Sequence, residues 1–189
     1  MITQIDFFIL NAIQGIRNPF LDFVMPIITF LGSGGIIWIT AAIILIIFRK
    51  SRKVGISVIV SLVIGLILST LLLKNIVCRA RPFNTPGALL NVSNILIGAP
   101  SGVFSFPSGH AVSSFSAATA MFMYDKKIGT VAFALAGLIS FSRLYLYVHF
   151  PSDIIAGMIF GALFAFAAVF IVNKIWEKIN EAKLSNNTK

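Results

Sequence analysis

The sequence predicts an all-α fold: a polytopic transmembrane helical bundle of about five spans plus an N-terminal interfacial helix. Hydrophobic residues make up 58% of the 189 residues and charged residues only 11%, whereas a soluble domain carries about a quarter charged residues. Several apolar stretches are long enough to cross a bilayer, and basic residues cluster between alternate stretches. We expect a single domain over residues 1–189, because no linker-like segment or internal repeat divides the chain.

The first element, residues 1–31, is expected to contain interfacial or re-entrant helices. Between Ile5 and Ile16 apolar residues recur at helical spacing, and polar residues such as Asp6 fall roughly opposite them. This pattern is typical of an amphipathic helix lying in the membrane interface. A second short apolar segment, Phe20–Leu31, would dip into the membrane. A full additional crossing through this region is the alternative.

The transmembrane core is predicted over residues 34–176, and residues 177–189 are predicted to form a cytoplasmic tail. Val54–Leu73 is the clearest span, because its 20 residues carry no charge and would make a helix about 30 Å long. The predicted spans are Ile36–Phe48, extended backward through Gly32, Gly34 and Gly35, then Val54–Leu73, Ala111–Tyr124, which begins near Ser108, Ile128–Tyr147 and Ile154–Trp176.

The placement of lysine and arginine predicts the orientation of these spans, since cations in short loops mark the cytoplasmic side. The cations of three alternating regions lie on that side: Arg49, Lys50, Arg52 and Lys53; Lys126 and Lys127; Lys174, Lys178, Lys183 and Lys189. Topology thus explains much of the net charge of +9, and nucleic-acid binding is not predicted. Four cations remain on the extracytoplasmic side against the usual bias, which favours a functional role: Lys74, Arg79, Arg81 and Arg143.

The two histidines, His110 and His149, both fall on the extracytoplasmic side. His110 ends the segment Pro107-Ser108-Gly109-His110 at the start of an apolar helix, where unpaired backbone N–H groups and the helix dipole favour an anion such as phosphate. His149 precedes Asp153 by four residues, which places the two side chains on one face if a helix begins near His149. A carboxylate bonded to one ring nitrogen leaves the other nitrogen free as a nucleophile.

A cluster of cations follows the second span. Arg81 lies seven positions after Lys74, so both would lie on one face if the helix persists, where fixed cations would stabilise a phosphate. Arg79 is offset from Arg81 and is assigned to surface or headgroup contact. Of the six acidic residues, only Asp153 accompanies these cations. Because magnesium and two-metal sites need several carboxylates, no metal site and no cofactor is predicted.

Three segments in this order resemble the three-part signature of the type 2 phosphatidic acid phosphatase superfamily: Lys74-x6-Arg81-Pro82, Pro107-Ser108-Gly109-His110 and Ser142-Arg143-x5-His149-x3-Asp153. That family includes bacterial undecaprenyl-diphosphate and phosphatidylglycerophosphate phosphatases, and it shares its fold with vanadium haloperoxidases. The resemblance covers Lys74 to Asp153 by motif, and it implies hydrolysis of a lipid phosphate by a helical membrane protein.

The resemblance also implies a role for each matching residue. His149 would attack phosphorus and form a phosphohistidine, oriented by Asp153, and His110 would protonate the leaving oxygen as general acid. A bell-shaped pH profile is therefore expected, because His149 has to be neutral while His110 is protonated. The positions that match the family's phosphate clamp are Lys74, Arg81, Ser108, the backbone N–H of Gly109, and Arg143.

One position departs from the family pattern. Tyr147 stands two residues before the nucleophile, where the family often has glycine. Together with Phe106 and Tyr145 it is expected to narrow or line the lipid entrance. The departure concerns the shape of the pocket rather than its chemistry.

The predicted function is that of an integral-membrane, metal-independent lipid phosphatase with its site on the extracytoplasmic face. Undecaprenyl diphosphate is the favoured substrate, and phosphatidylglycerophosphate or phosphatidic acid is the alternative. A non-enzymatic protein that binds or translocates anionic lipid is the second hypothesis, since it would need the same cations but not His149 with Asp153. The expected partners are the lipid bilayer and the lipid phosphate, with no obligate protein partner.

Overall fold

The computed structural model describes residues 2–91, 93–98, 100, 102 and 104–187, and every regular element in these residues is helical. A π-helical segment, Leu66–Leu73, joins α4 to α5, and short 3-10 turns occupy Ser33–Gly35 and Pro82–Asn84. Lys189, assigned to the cytoplasmic tail, lies outside the described residues. The α-helices are α1 (Ile2–Gln14), α2 (Pro19–Gly32), α3 (Ile36–Ile47), α4 (Arg52–Gly65), α5 (Lys74–Val77), α6 (Gly109–Tyr124), α7 (Lys126–Tyr145) and α8 (Pro151–Asn187).

Four helical segments of the described chain are long and apolar enough to cross a membrane: Pro19–Ile47, Arg52–Asn84, Lys126–Tyr145 and Pro151–Ser185. With the 16-residue helix α6, they agree roughly with the five predicted spans, and the all-α membrane fold class is confirmed. The N-terminal part differs in detail. α2 and α3 form one candidate span, interrupted where Gly34 and Gly35 have φ angles of 60° and 71°, a left-handed conformation that breaks a helix.

The outer surface of the bundle is apolar. Large hydrophobic side chains such as Phe23, Val131 and Phe170 are exposed along α2, α7 and α8. A soluble monomer rarely exposes so much contiguous apolar surface, whereas a bilayer solvates it. The surface is therefore that of a membrane protein.

α6 lies at the centre of the bundle and packs most extensively against α7 and α8. Two glycines one turn apart on α8 allow its backbone to approach α6 closely. A Cβ atom at Gly157 would lie 2.7 Å from the Cβ of Ala111, and one at Gly161 would lie 2.6 Å from the carbonyl oxygen of Val112. This close contact holds the start of α6 beside the start of α8, where two of the three sequence motifs meet.

The predicted amphipathic helix is present as α1, and its polar face is turned toward the protein. Phe8 is exposed, whereas Asp6 is only 3% exposed. The Gln14 amide donates to the carbonyl oxygen of Tyr145 (3.1 Å), and the Tyr147 hydroxyl donates to Asn11 Oδ1 (3.1 Å). The polar side of α1 thus binds the turn between α7 and α8.

Candidate active site

The turn between α7 and α8, residues 146–150, carries His149 and is buried throughout. Its backbone is fixed by hydrogen bonds from the Leu146 N–H to the Ser142 carbonyl (2.9 Å) and from the Val148 N–H to the Arg143 carbonyl (3.2 Å). Between them Tyr147 has a φ angle of 60°, a left-handed conformation that glycine adopts at least cost. This conformation gives a physical reason for the glycine found here in the resembling family.

The expectation that Tyr145 and Tyr147 line a lipid entrance is wrong, because both side chains are fully buried. The left-handed turn directs Tyr147 toward α1, and the Tyr145 hydroxyl donates to Asp22 Oδ1 in α2 (2.6 Å). Phe106 is partly buried and packs edge-on against Phe160 of α8, with 6.5 Å between ring centroids. The two tyrosines therefore attach the N-terminal helices to the turn that carries His149.

His149 and Asp153 are neighbours although α8 begins at Pro151, two residues later than the spacing argument assumed. Asp153 folds back over the helix start, and its Oδ2 accepts from the Phe150 N–H (2.9 Å) and lies 3.5 Å from His149 Nδ1. Nδ1 has no hydrogen bond of good geometry among the described side chains and backbone. Such contacts are often long in a free enzyme and shorten when substrate binds.

The environment of His149 keeps its imidazole neutral. Its side chain is 3% exposed. Burial lowers the pKa of His149 well below its usual range, and the positive charges of Arg81, Arg143 and Lys74 lower it further. A neutral imidazole has a lone pair available for attack, which is the protonation state that a nucleophile needs.

Arg81 lies against the other ring nitrogen of His149. Its Nη1 is 3.3 Å from His149 Nε2 and donates to the carbonyl oxygen of Val148 (2.8 Å), while its Nε donates to the carbonyl of Gly102 (2.9 Å). These bonds fix a buried guanidinium beside Nε2, the nitrogen that does not face Asp153. A phosphate bound by Arg81 would thus lie next to the proposed nucleophilic atom.

Lys74 reaches this region from the end of the π-helical segment. The prediction that Lys74 and Arg81 share one helix face is wrong, because α5 ends at Val77 and Cys78 turns the chain with a φ angle of 49°. Lys74 nevertheless lies within electrostatic range of Arg81 and Arg143. The two motif cations are brought together by a turn rather than by helical periodicity.

Thr29 of α2 joins Arg143 to His110, a link that no pattern in the sequence predicted. Arg143 Nη1 donates to Thr29 Oγ1 (2.5 Å), and His110 Nε2 lies 3.2 Å from the Thr29 carbonyl oxygen. Arg143 is 4% exposed, and its Nε has no hydrogen-bond partner among the described residues. A Cβ atom at Gly32 would lie 2.7 Å from His110 Cδ2, so the absence of a side chain there makes room for the imidazole.

Ser108 and Gly109 form the start of α6, as predicted. Ser108 is the N-cap residue, and its Oγ accepts from the Ala111 N–H at 3.5 Å. Its own N–H donates to the carbonyl oxygen of Asp153 (3.1 Å). The N-terminus of α6, with its partial positive charge, is thereby held directly beside the pair of His149 and Asp153.

Arg79 was assigned to surface or headgroup contact, and this assignment is wrong. Its Nη1 donates to Asp153 Oδ1 (2.6 Å) and to Ser152 Oγ (2.7 Å), and its Nη2 donates to Asp6 Oδ2 (2.7 Å). The guanidinium also lies 4.0 Å from the centroid of the Phe150 ring. Helical offset from Arg81 had no bearing on its direction, because the helix ends before either arginine.

Two cavities adjoin His110, and His149, Lys74 and Arg81 line neither of them. One, of about 390 Å³, is lined by Thr29, His110 and Arg143 among others. The other, of about 440 Å³, lies between α3, the π-helical segment and α6, and its walls are mainly apolar. Among the described residues the two cavities share only Gly34 and His110. The imidazole of His110 therefore stands between the cavity that contains Arg143 and the mainly apolar one.

No group of three or more His, Cys, Asp or Glu side chains in the described part of the chain is arranged to hold a metal ion. Asp153 is bonded to Arg79 and to backbone, so its oxygens are already engaged. The charges available to a bound anion come from Lys74, Arg81 and Arg143. That the reaction needs no metal stays a prediction.

Residues 54–177 match the PAP2 superfamily. The chain belongs to this family. The resemblance predicted from the three motifs is confirmed. An undecaprenyl-diphosphatase of Sulfolobus acidocaldarius is 35% identical over 136 residues, which cover 71% of this chain and 63%, less than two thirds, of that protein. A lipid A 4'-phosphatase of Bacteroides thetaiotaomicron is 30% identical over 189 residues, covering 94% of this chain and 81% of that protein.

The fold of this PAP2 member agrees with a solved structure. The crystal structure of Aquifex aeolicus LpxE matches with a TM-score of 0.71 and 30% identity, covering 85% of this chain and 92% of that one. Because the relatives are named as phosphatases, the prediction of a membrane phosphatase is confirmed at the level of the family.

Proposed function

We propose that this protein is a metal-independent lipid phosphatase that works through a phosphohistidine on His149, with undecaprenyl diphosphate as its substrate. One observation carries the proposal: the two ring nitrogens of His149 face different groups. Nδ1 lies beside Asp153, and Nε2 lies beside the buried cation Arg81. A neutral imidazole in this position is suited to attack a phosphorus atom held by that cation.

The reaction begins with attack of the Nε2 lone pair on the terminal phosphorus. The bond from phosphorus to the bridging oxygen breaks, and that oxygen takes a proton from His110. In the second step His110 accepts a proton from water, the resulting hydroxide bonds to phosphorus, and the P–N bond breaks. Asp153 remains a carboxylate and stabilises the charged ring of the intermediate. Lys74, Arg81, Arg143, Ser108 and the Gly109 N–H hold the phosphoryl oxygens.

The two cavities support a lipid substrate. The leaving oxygen has to contact His110 and also carries the rest of the substrate. On one side of His110 lies the cavity that contains Arg143, and on the other side lies the apolar cavity lined by residues such as Ile39, Leu62 and Leu66. In undecaprenyl diphosphate the leaving oxygen carries the second phosphate, and the lipid tail that follows this phosphate would lie in the apolar space.

The choice of undecaprenyl diphosphate is supported by the relative named undecaprenyl-diphosphatase. A lipid phosphate monoester, such as phosphatidylglycerophosphate or phosphatidic acid, is the second candidate. It is favoured by the relative named a lipid A 4'-phosphatase, which shows that other lipid phosphates occur as substrates among relatives of this chain. We place the site on the extracytoplasmic face and the C-terminus in the cytoplasm, because the loop cations cluster at the other helix ends.

Phosphate release by the purified protein from a panel of these lipids tests the proposal. We expect the diphosphate to be hydrolysed with the highest kcat/KM. His149→Ala should lower release by at least about 10³-fold, since a nucleophile and its partners act as a unit, while binding of the same lipid stays within a few fold. Release that persists in His149→Ala would show that another group attacks phosphorus.

Dependence on metal is tested with the same assay. Activity should be unchanged in excess EDTA, because the anion is held by side-chain cations. Strict dependence on added magnesium would contradict the metal-free mechanism. Lipid binding without any release in the unmodified protein would favour the anionic-lipid binder instead.

A further inference from the structure

Asp6, near the start of α1, is a buried carboxylate whose oxygens all bind groups near the active site. Oδ1 accepts from the Ser152 N–H (2.9 Å), and Oδ2 accepts from Ser152 Oγ (2.6 Å) and from Arg79 Nη2 (2.7 Å). Ser152 is the second residue of α8, so Asp6 satisfies a free N–H of the helix that carries Asp153. A residue of one helix thus caps another helix 146 positions later.

Arg79 links this cap to the carboxylate beside His149. It donates from Nη2 to Asp6 and from Nη1 to Asp153 Oδ1, so one guanidinium bridges two carboxylates. The bond to Oδ1 leaves Oδ2 as the oxygen that faces His149 Nδ1. The orientation of the Asp153 carboxylate is therefore set by the Phe150 N–H at Oδ2 and, from behind, by Arg79 and Asp6, which are not among the conserved positions of the three family motifs.

We propose that Asp6 and Arg79 are positioning residues of the active site, which fix the Asp153 carboxylate so that it holds one tautomer and one orientation of His149. α1 thus contributes a positioning residue to the active site and is not only a helix at the membrane surface. The inference rests on the proposed function, in which His149 is the nucleophile. The expected size of the effect is taken by analogy with metal sites, where removal of a partner that orients a ligand residue costs about 10- to 100-fold.

Removal of the Arg79 charge and removal of the Asp6 charge are expected to shift the pKa of His149 in opposite directions. The titratable and charged groups that face His149 are Lys74, Arg81, His110, Arg143 and Asp153; Arg79 and Asp6 act through the last of these. Without the Arg79 cation, Asp153 exerts its full negative charge on His149, which favours the protonated ring and raises its pKa. Without the Asp6 charge, Arg79 neutralises Asp153 more fully, and the pKa of His149 falls.

The kinetic test compares Arg79→Gln, Arg79→Lys and Asp6→Asn with the unmodified protein. We expect Arg79→Gln to lower kcat about 10- to 100-fold with KM within about twofold, and to move the acidic limb of the kcat profile to higher pH. Asp6→Asn should give a smaller loss and move that limb to lower pH. Arg79→Lys keeps the positive charge but cannot donate to both carboxylates in the way that the guanidinium does. Its acidic limb should therefore stay near that of the unmodified protein, while its kcat should lie between those of the unmodified protein and Arg79→Gln.

A matched control is Arg17→Gln, which breaks the other arginine–aspartate pair near α1, between Arg17 and Asp22 (3.1 Å), without touching Asp153. It should leave kcat and both limbs unchanged. Melting temperatures in detergent are recorded for every variant. Three outcomes would each overturn the inference. The first is a loss of kcat that follows the loss of melting temperature while the limbs of the pH profile do not move. The others are acidic limbs that move in the same direction in Arg79→Gln and Asp6→Asn, and a kcat that stays within twofold in both variants.

A spectroscopic measurement keeps the test independent of turnover. The chain contains two histidines, so ¹⁵N-histidine labelling gives two imidazoles, and His110→Asn assigns them. The ring of His149 should titrate at higher pH in Arg79→Gln than in the unmodified protein. If the protein releases no phosphate from any lipid, the proposed function fails, and this titration alone decides whether Arg79 acts on His149; an unchanged titration rejects it.

Discussion

The arginines on the two sides of the His149 ring differ in the groups that they bind. On the anion-facing side, Arg81 and Arg143 bind carbonyl oxygens and a hydroxyl group, with no carboxylate partner among the described residues. On the carboxylate side, Arg79 binds both Asp6 and Asp153. A guanidinium matched by carboxylates has little charge left for a ligand, whereas one bound to neutral acceptors keeps its charge. The first side is suited to hold phosphate, and the second to hold protein groups in place.

Removal of the general acid is expected to give the largest effect on the anion-facing side. His110→Asn should lower kcat about 10²- to 10⁴-fold for the lipid substrate and abolish the alkaline limb of the pH profile. The acidic limb should remain below the usual histidine pKa of about 6.5, because burial and neighbouring cations lower the pKa of His149 and it loses its lone pair only at lower pH. A profile of the unmodified protein that is flat from about pH 5 to 9 would contradict the assignment of both histidines.

Replacement of one arginine on the anion-facing side is the most direct test of the difference between the two sides. Arg81→Gln or Arg143→Gln should lower kcat/KM about 10²- to 10³-fold and weaken inhibition by inorganic phosphate. Arg79→Gln should leave the inhibition constant for phosphate nearly unchanged, because its guanidinium is already occupied. Equal weakening of phosphate inhibition by all three variants would remove the distinction between the sides.

A change in shape without a change in charge is expected to have a smaller effect. Gly32→Ala places a methyl group 2.7 Å from His110 Cδ2 and 2.6 Å from Ile139 Cγ2, so the imidazole and the Ile139 side chain have to shift. We expect kcat to fall about tenfold, since small displacements of a proton donor are costly, while phosphate inhibition is retained. Gly137→Ala, whose Cβ meets no atom within 4 Å, serves as the control on a neighbouring helix.

The smallest effect is predicted for the ion pair between Arg17 and Asp22, whose side chains are 25% and 31% exposed. Pairs of this exposure contribute about 0–1 kcal/mol, so Arg17→Gln should lower the free energy of unfolding by no more than that. Thermal unfolding in detergent, monitored by circular dichroism, measures the change. A loss of activity in this variant would mean that α1 acts on the site by a route other than Asp6.

Residues whose position follows from local chain geometry could be predicted from the sequence. His149 and Asp153 are adjacent because both belong to one turn and helix start, and Ser108 and Gly109 are at a helix start because their residue types favour it. The composition and the apolar stretches predicted the helical membrane fold for the same reason: the information is local in the chain.

Contacts between distant segments could not be predicted in this way. Asp6 and Thr29 reach the site only because α1 packs against α7 and α8 and α2 packs against α7. Arg79 reaches it from the segment that follows α5. The polar face of an amphipathic helix looks the same in sequence whether it meets water or protein. The π-helical segment and the left-handed turn at Cys78 likewise changed the direction of Arg79 and Arg81 relative to a continuous helix.

The hydrogen bonds between Asp6 and Ser152 set a condition on how the protein is made. During synthesis the helix containing Asp6 is complete long before α8 exists, because 146 positions separate the two residues in the sequence. A carboxylate taken into an apolar environment without its partners is strongly disfavoured, so α1 has to keep Asp6 in contact with water until Ser152 and Arg79 are in place. We therefore expect the N-terminal helix to stay at the membrane surface during translation and to dock only when α8 is in place, which also completes the surroundings of His149.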